Sequence, residues 1–437
     1  MTAANGQWRN WSRGESARPS RVERPASAGA VQRAVQAAVR TGERVKAVGA
    51  GHSFSGIAVP AGILLELTEL SGLVGVDAAR SRATLAAGTR LRDVPALLAP
   101  HGLAMQNLGD IDAQTISGAI STGTHGTGTR FGGIATQVVG LALVDGTGGL
   151  VRISEEENAE LLPAAALGLG ALGIIVEVTL QCVPAFVLHT LESPEPLEQV
   201  LESFDERAET SDHFEFYWFA HTDRALTKTN TRLPVDTPLA PRSTMGRLIV
   251  DEFLSNGLFR VTCNLGRFLP AAVVPVNRIA ERVWSDLDVT DLSHRVFVAD
   301  RSVRFREMEY ALPREVVVDA FREVVALVER RRWRISFPIE VRVAAADELW
   351  MSTASGRASG YIAVHRFFRE SPHEYFRAVE EIMLAYDGRP HWGKMHYRDA
   401  DSLRAVYPRF DEFLAVRDRL DPGRLFSNRY LKGVLGS

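Results

Sequence analysis

The spacing of apolar residues changes repeatedly along the chain, and each change predicts an element. Val31, Val35 and Val39 recur every four residues behind Ser27, a good helix cap, and Gly42 supplies a stop; this reads as a helix. Short apolar runs at 44–48, 63–67, 73–76 and 83–87 read as strands, and 91–99 reads as a helix ended by Pro100 and Gly102. Residues 138–144 and 150–153 flank the turn sequence Asp145-Gly146-Thr147-Gly148-Gly149 and read as a hairpin. Ser154-Glu155-Glu156-Glu157 carries a capping-box pattern and is expected to open a helix, after which 173–180 reads as a core strand. This order predicts α+β layers and not a repeating βαβ chain.

Residues 109–133 are dense in Gly, Thr and Ser and nearly lack large apolar side chains. Such a run cannot bury itself, so its backbone is expected to lie along a ligand. After Pro184 the character shifts to Arg, aromatic residues and longer helices. Phe214, Phe216 and Trp218 share one face of a strand, and 314–332 and 373–386 read as amphipathic helices. Gly388-Arg389-Pro390 breaks the pattern again. Boundaries near 183 and 388 are therefore expected, giving units 1–183 and 184–388 and a terminal segment 389–437.

Composition narrows the function class. A chain of 437 residues is too long for one simple core, and 46% hydrophobic with 24% charged residues excludes a disordered, collagenous or coiled-coil protein. A net charge of −3 gives no reason to expect nucleic acid or an anionic membrane as partner. Cys182 and Cys263 cannot build a disulfide framework. The longest apolar stretch, 161–176, contains Pro163, Gly168, Gly170 and Gly173 and reads as a buried helix followed by a strand. It falls short of the ~20 residues a membrane span needs. The opening residues 1–19 are polar and Arg-dotted, without a signal segment, so a cytoplasmic location is expected. Lysine is scarce (Lys46, Lys228, Lys394 and Lys432), which draws attention to each one.

Three places carry candidate chemistry. The strand at 44–48 runs into Gly49-Ala50-Gly51-His52-Ser53, small residues whose backbone N–H groups can cradle a pyrophosphate. A nicotinamide fingerprint needs a third Gly where Phe54 stands, and Pro60 and Gly62 replace its helix; a solvated surface turn is the other reading. In Ile339-Glu340-Val341-Arg342-Val343 the two charged residues share a face, which fits a solvent-facing strand or a paired site. The strand 361–367 puts Tyr361, Ala363, His365 and Phe367 together; His365 is either a structural histidine or a substrate contact and proton acceptor. His391-Trp392-Gly393-Lys394-Met395-His396 lacks the further ligands zinc needs, so no metal is expected. It reads as a turn packed by Trp392 or as a cofactor contact.

Taken in order, Gly49–Ser53, the 109–128 run with Thr124-His125-Gly126-Thr127-Gly128, Gly170-Ala171-Leu172-Gly173-Ile174-Ile175 and His391-Trp392-Gly393-Lys394 resemble the vanillyl-alcohol-oxidase-type FAD flavoprotein superfamily. The last motif resembles its aldonolactone-oxidase and alditol-oxidase branch. The resemblance covers nearly the whole chain except 1–21. It implies an α+β, PCMH-type FAD-binding domain over 1–183, completed by 389–437, beneath a sheet-and-helix substrate cap over 184–388. FAD is then held by Gly49, Ala50, Gly51, Ser53, Phe54, Gly109, Thr115, Gly118, Ser121, Thr122, Ile175 and His391, with a covalent link from His52 to the flavin 8α-methyl.

The resemblance also implies roles at the reacting centre. Arg342 binds the substrate hydroxyl oxygen and stabilises developing negative charge; Glu340 fixes substrate and Arg342 and helps remove the hydroxyl proton. Lys394 sets positive charge near flavin N1. Asp110 reaches the substrate, and Glu309 approaches the pocket in Met308-Glu309-Tyr310. Gly109 stands where a methyl would restrict oxygen, which favours an oxidase. The implied reaction moves a hydride from a sugar lactone, L-gulono-1,4-lactone first, or from an alditol such as xylitol, to flavin N5. Oxygen, or a cytochrome or other acceptor, then takes the electrons. The hydroxyl residue of alditol-type relatives is replaced here by Asp110.

Overall fold

The computed structural model describes residues 6–241, 263, 268–283, 286–299 and 303–437. The first predicted helix spans Ala28–Thr41: the Ser27 side chain accepts from Ala30 N–H, and Gly42, at φ 68°, turns its own N–H onto the Ala38 and Val39 carbonyls. Val31 and Val35 are buried, whereas Val39 is 47% exposed. Steps of four overshoot a 3.6-residue turn by about 40° each, so the third valine has left the buried face.

Three larger sheets, beside two of two strands each, organise the described residues. In a parallel one, Ile63–Glu66 lies between Val22–Glu23 and Val45–Val48. A five-stranded antiparallel sheet has the order Leu150–Ser154, Val138–Val144, Ile174–Gln181, Arg82–Ala86, Leu73–Asp77. One hydrophobic core gathers these two sheets with the first helix and takes in Trp392, Tyr407, Phe410, Phe413 and Phe426 from the terminal segment.

The third sheet is antiparallel, with strands in the order Leu287–Leu292, Phe186–Pro196, Arg224–Pro234, His213–Trp218, Ile339–Ala344, Ser359–Phe367, Phe305–Pro313, Arg389–Pro390. Helices Val317–Arg331 and His373–Ala385 cover one face, where Phe321, Val324, Phe376 and Val379 share a core with Phe214, Phe216, Trp218, Val341 and Val343. Strand alternation then sends Glu215, Glu340 and Arg342 to the opposite face, where Arg342 meets Asp110 of the Gly/Thr-rich run. Register brings Glu340 opposite Tyr217 and Ala363, and Glu307 opposite His365.

Two expectations need correction. Ser154 accepts from the N–H groups of Glu156 and Glu157, but Asn158 then turns at φ 52° and no long helix opens. Only Ala159–Leu161 and the single turn Leu162–Ala165 follow, so the buried helix expected in 161–176 is one turn long. Leu169 and Gly170 both take positive φ and prevent its extension. The Gly/Thr run also divides: its first half lines cavities, while Thr127 and Gly128 dock onto the third sheet. The Thr127 hydroxyl donates to Phe214 O (2.6 Å) and Gly128 N–H to Val343 O (2.9 Å). Among the described residues, no helix is long and apolar enough to cross a membrane.

Candidate active site

Two adjoining cavities, each enclosing about 90 Å³, share His52, Ser53, Gln114 and Thr122 as walls. One is built largely from backbone. It is lined by Gly49, Ala50, Gly51, Thr115, Gly118, Ser121 and Ile175, with the buried Lys46 at its wall. Glycine is required by close approach: a Cβ on Gly49 would stand 2.3 Å from Thr115 Oγ1, the group that caps Ile116–Thr122 by accepting from Gly118 N–H. The turn is clamped from both ends of the chain. Trp11 N–H donates to Gly51 O (2.7 Å), Asn10 Nδ2 to Ser53 O (2.9 Å) and Phe54 N–H to Gly393 O (2.6 Å).

Glycine-lined backbone and a capped helical turn suit a diphosphate-bearing dinucleotide. Lys46 Nζ donates to the carbonyls of Gly170 (3.1 Å) and Phe426 (3.3 Å). Burial, helped by Arg417, lowers the Lys46 pKa to about 7, so an anionic ligand beside it restores its charge. His52 stands where the two cavities meet, its ring stacked on Trp11 at 5.4 Å. Burial, then Arg90, lowers its pKa to about 4 and leaves the imidazole neutral.

The other cavity is built from charge. Arg342 donates to Glu215 (Nε to Oε2, 2.6 Å) and Asp110 (Nη2 to Oδ1, 2.6 Å) and also pairs with Glu340. Its exposure is 7% and that of Glu340 is 4%, which excludes a solvent-facing strand. Burial alone would lower the Arg342 pKa; Asp110, Glu215 and Glu340 outweigh it and raise it. Lys394 repeats the design, with Nζ 2.6 Å from Glu307 Oε1 and 2.8 Å from Glu309 Oε2. Burial opposes the charge again, but Glu307 and Glu309 raise the Lys394 pKa. Burial likewise pushes Glu307 up, yet Lys394 and His365 bring it down to about 2. Both cations are thus permanently charged and overcompensated by carboxylates.

His52, Ser53, Phe54, Gly109, Asp110, Thr122, Glu340, Arg342, His365, His391 and Lys394 all line this second cavity. Glu309 does not line it; Glu307, two residues earlier on the same strand face, does. Glu309 instead lies behind Lys394 and takes His125 Nε2 at 3.0 Å. His125, Glu309 and His391 lie close enough to hold a metal ion, but the Lys394 ammonium already bonds Glu309 there. Gly109 has a packing reason: its Cβ would meet the His125 carbonyl oxygen at 2.9 Å, so the missing methyl makes room for backbone.

Sequence reading missed four residues. Trp11 lies in the opening segment and lines the cavity. Glu215 is the polar member of the Phe214–Trp218 alternation, a signal that was available. Glu307 shares a face with Glu309, and His125 sits inside a quoted motif.

Residues 178–434 match the family model described as D-arabinono-1,4-lactone oxidase, and residues 19–154 match the FAD binding domain model. The chain is 44% identical to an L-gulono-1,4-lactone dehydrogenase of Mycobacterium tuberculosis, over 98% of this chain and 99% of the relative. It is 33% identical to the L-gulonolactone oxidase of Bos taurus and 30% identical to an alditol oxidase of a Streptomyces species, each over 98% of both chains. Cholesterol oxidase from B. sterolicum shares the fold at TM-score 0.82 and 18% identity, over 98% of this chain and 96% of that one. The cofactor is FAD, as the backbone-lined cavity and the FAD-binding match together require. With more than half its length inside one family model and full-length relatives at this identity, the chain belongs to the D-arabinono-1,4-lactone oxidase family of FAD-binding oxidoreductases.

Proposed function

We propose that the chain oxidises a carbinol carbon of an aldono-1,4-lactone, L-gulono-1,4-lactone first, with FAD as the hydride acceptor. The observation that carries this is the shared cavity of Arg342, Glu340 and Lys394 beside His52, at the mouth of the cofactor cradle. Bound FAD supplies the two-electron chemistry. The chain supplies orientation and charge: Arg342 donates to the substrate hydroxyl oxygen and Glu340 and Asp110 hold both in place. Three carboxylates surround Arg342 and two surround Lys394. A substrate carboxylate would be repelled there, so the site suits a neutral polyhydroxylated molecule. A lactone fits; its ring-opened acid does not.

Attachment of the flavin through His52 belongs to this reading, supported by its neutral ring at the junction of the cavities. As for the acceptor, Gly109 lines the cavity and also packs against the His125 carbonyl, and oxygen is the first reading. Relatives at 44% identity are named dehydrogenases, which favours a non-oxygen acceptor as the second reading. The test is anaerobic mixing of the yellow protein with L-gulono-1,4-lactone, the corresponding aldonate and xylitol, followed by oxygen or a dye in parallel. Bleaching by lactone and not by aldonate is expected. Bleaching by the aldonate alone would refute the reading.

A further inference from the structure

Buried positive charge is handled differently at the two cavities. Arg342 and Lys394 meet five carboxylates between them, whereas Lys46, 4% exposed, makes no ion pair among the described residues. Its Nζ spends two of three donors on the carbonyls of Gly170 (3.1 Å) and Phe426 (3.3 Å), at the wall of the glycine-lined cavity. The charged groups around it come from the terminal segment: Arg417 on the helix Phe410–Leu420 and Asp421 just beyond. Arg417 is 1% exposed; Nη2 reaches Ser427 Oγ at 3.4 Å, and Nε and Nη1 find no hydrogen-bond partner among the described residues. Asp421 is fully buried and accepts from Leu425 N–H (2.7 Å) and Phe426 N–H (3.1 Å). Arg424, further out, is paired with Asp418.

Two buried cations therefore share one carboxylate, and backbone N–H groups already occupy both of its oxygens. Unbalanced charge away from water is expensive, so an anion completes such a cluster favourably. FAD carries its negative charge on the diphosphate, and the cavity proposed to cradle it has Lys46 in its wall. The same lysine grips the terminal segment where that segment grips the glycine turn. Val45 N–H donates to Leu425 O (3.0 Å), and Asn428 Nδ2 donates to the carbonyls of Gly56 (3.0 Å), Ile57 (3.1 Å) and Val59 (2.9 Å).

We propose that Lys46 couples FAD binding to docking of the terminal segment: the FAD diphosphate balances the Lys46 and Arg417 charges, and Lys46, through Phe426 O, holds 421–435 against the glycine turn. The inference rests on FAD occupying the glycine-lined cavity and not on which alcohol is oxidised. Coupling of this kind is reciprocal, so FAD steadies the segment and the docked segment slows FAD release. Lys46 also makes it pH-dependent, since burial and Arg417 bring its pKa down to about 7 and an anion beside it raises it again. The anion is then held by an ammonium below that higher value and faces a neutral amine above it, so FAD release quickens as pH rises.

The test starts from FAD-loaded protein carrying His52→Ala, so that no bond to His52 hides release. With Lys46 present, FAD release on dilution, followed by flavin fluorescence, should be at least about tenfold faster at about pH 9 than at about pH 6. Lys46→Met should release FAD fast at both pH values or fail to retain it. Lys46→Arg, charged at both, should release it slowly at both. Hydrogen exchange of 421–435 in the loaded proteins should be slow with Lys or Arg and faster with Met, while the third sheet exchanges alike in all three. A general loss of stability would not produce that contrast. Release independent of pH with Lys46 present would overturn the proposal, even where Lys46→Met does not fold. So would Lys46→Met retaining FAD as the Lys46 protein does, or Lys46→Arg showing the same pH dependence.

Discussion

The cavity proposed to cradle FAD takes its walls from 46–58, 114–122 and 169–175 and is built mainly of backbone; the cavity proposed to take substrate has walls from strands at 305–313, 339–344 and 359–367 and is built of side-chain charge. At the cradle a single extra carbon is the danger, as with Gly49 against Thr115. At the charged end the danger is a missing partner, because two cations, Arg342 buried and Lys394 half-buried, hold five carboxylates: Asp110, Glu215 and Glu340 on Arg342, and Glu307 and Glu309 on Lys394. Removing one member of a buried pair costs about 3–5 kcal/mol, far more than a surface pair contributes. The two halves of one site are therefore vulnerable to different changes: added volume in one, unbalanced charge in the other.

Arg342→Met attacks the charged half where it is densest. It leaves Asp110, Glu215 and Glu340 facing one another, so we expect flavin reduction by lactone to fall at least about 10³-fold and stability to drop by about 3–5 kcal/mol. Stopped-flow reduction and urea unfolding measure both, and adding Glu215→Gln should recover part of the stability. A fully stable Arg342→Met protein would show that charge compensation is not what holds this end together.

Lys394→Met is a smaller change, since only two carboxylates lose their partner. Reduction should fall by about 10²-fold while FAD content stays normal. The pH dependence has a definite sign. Glu307 is held at about 2 in the fold against an ordinary 4.5, so its contribution is present above 4.5 and lost as pH falls toward 2. The variant lacks that contribution. The gap in thermal midpoint between wild type and variant should therefore be widest above pH 4.5 and close below it. A gap independent of pH would argue for lost packing instead.

Gly49→Ala probes the backbone half and should have the smallest effect on stability. Displacing Thr115 from its cap costs about 1 kcal/mol. The signature is selective: less FAD per protein, with the charge network and fold intact. Unchanged FAD stoichiometry would mean that this cavity tolerates volume and that the two halves do not differ in what they tolerate.

That the small residues would gather around one cavity was readable, because a backbone-lined cavity has a local signature. Gly49–Ser53, Thr115 and Ile175 are short-range features, and ten of the residues assigned to FAD line that one cavity. The charged half was readable only in part. Alternation puts Glu340 and Arg342 on one face, but it says nothing about what lies opposite. Glu215 and Asp110 reach Arg342 from positions 127 and 232 residues away. Glu309 was expected to approach the pocket, yet Glu307 lines the cavity, because only packing decides which of two same-face residues stands in front. A glycine in sequence also carries no direction, and only the fold shows that a Cβ on Gly109 would meet the His125 carbonyl oxygen. Trp11 was invisible, since nothing local marks a loop residue that later covers His52.

By itself the sequence determined the periods of the strands and helices, the glycine turn, and which charged residues could not share a face with the core, because these follow from chain geometry over a few residues. Tertiary structure alone decided the partners: that Arg342 meets three carboxylates, that Lys394 meets two, and that His365 Nδ1 lies 2.9 Å from Pro338 O. The physical reason is range. Backbone preference is settled within a turn or a strand, whereas a buried charge is settled by whatever sheet register and domain docking bring within about 3 Å of it.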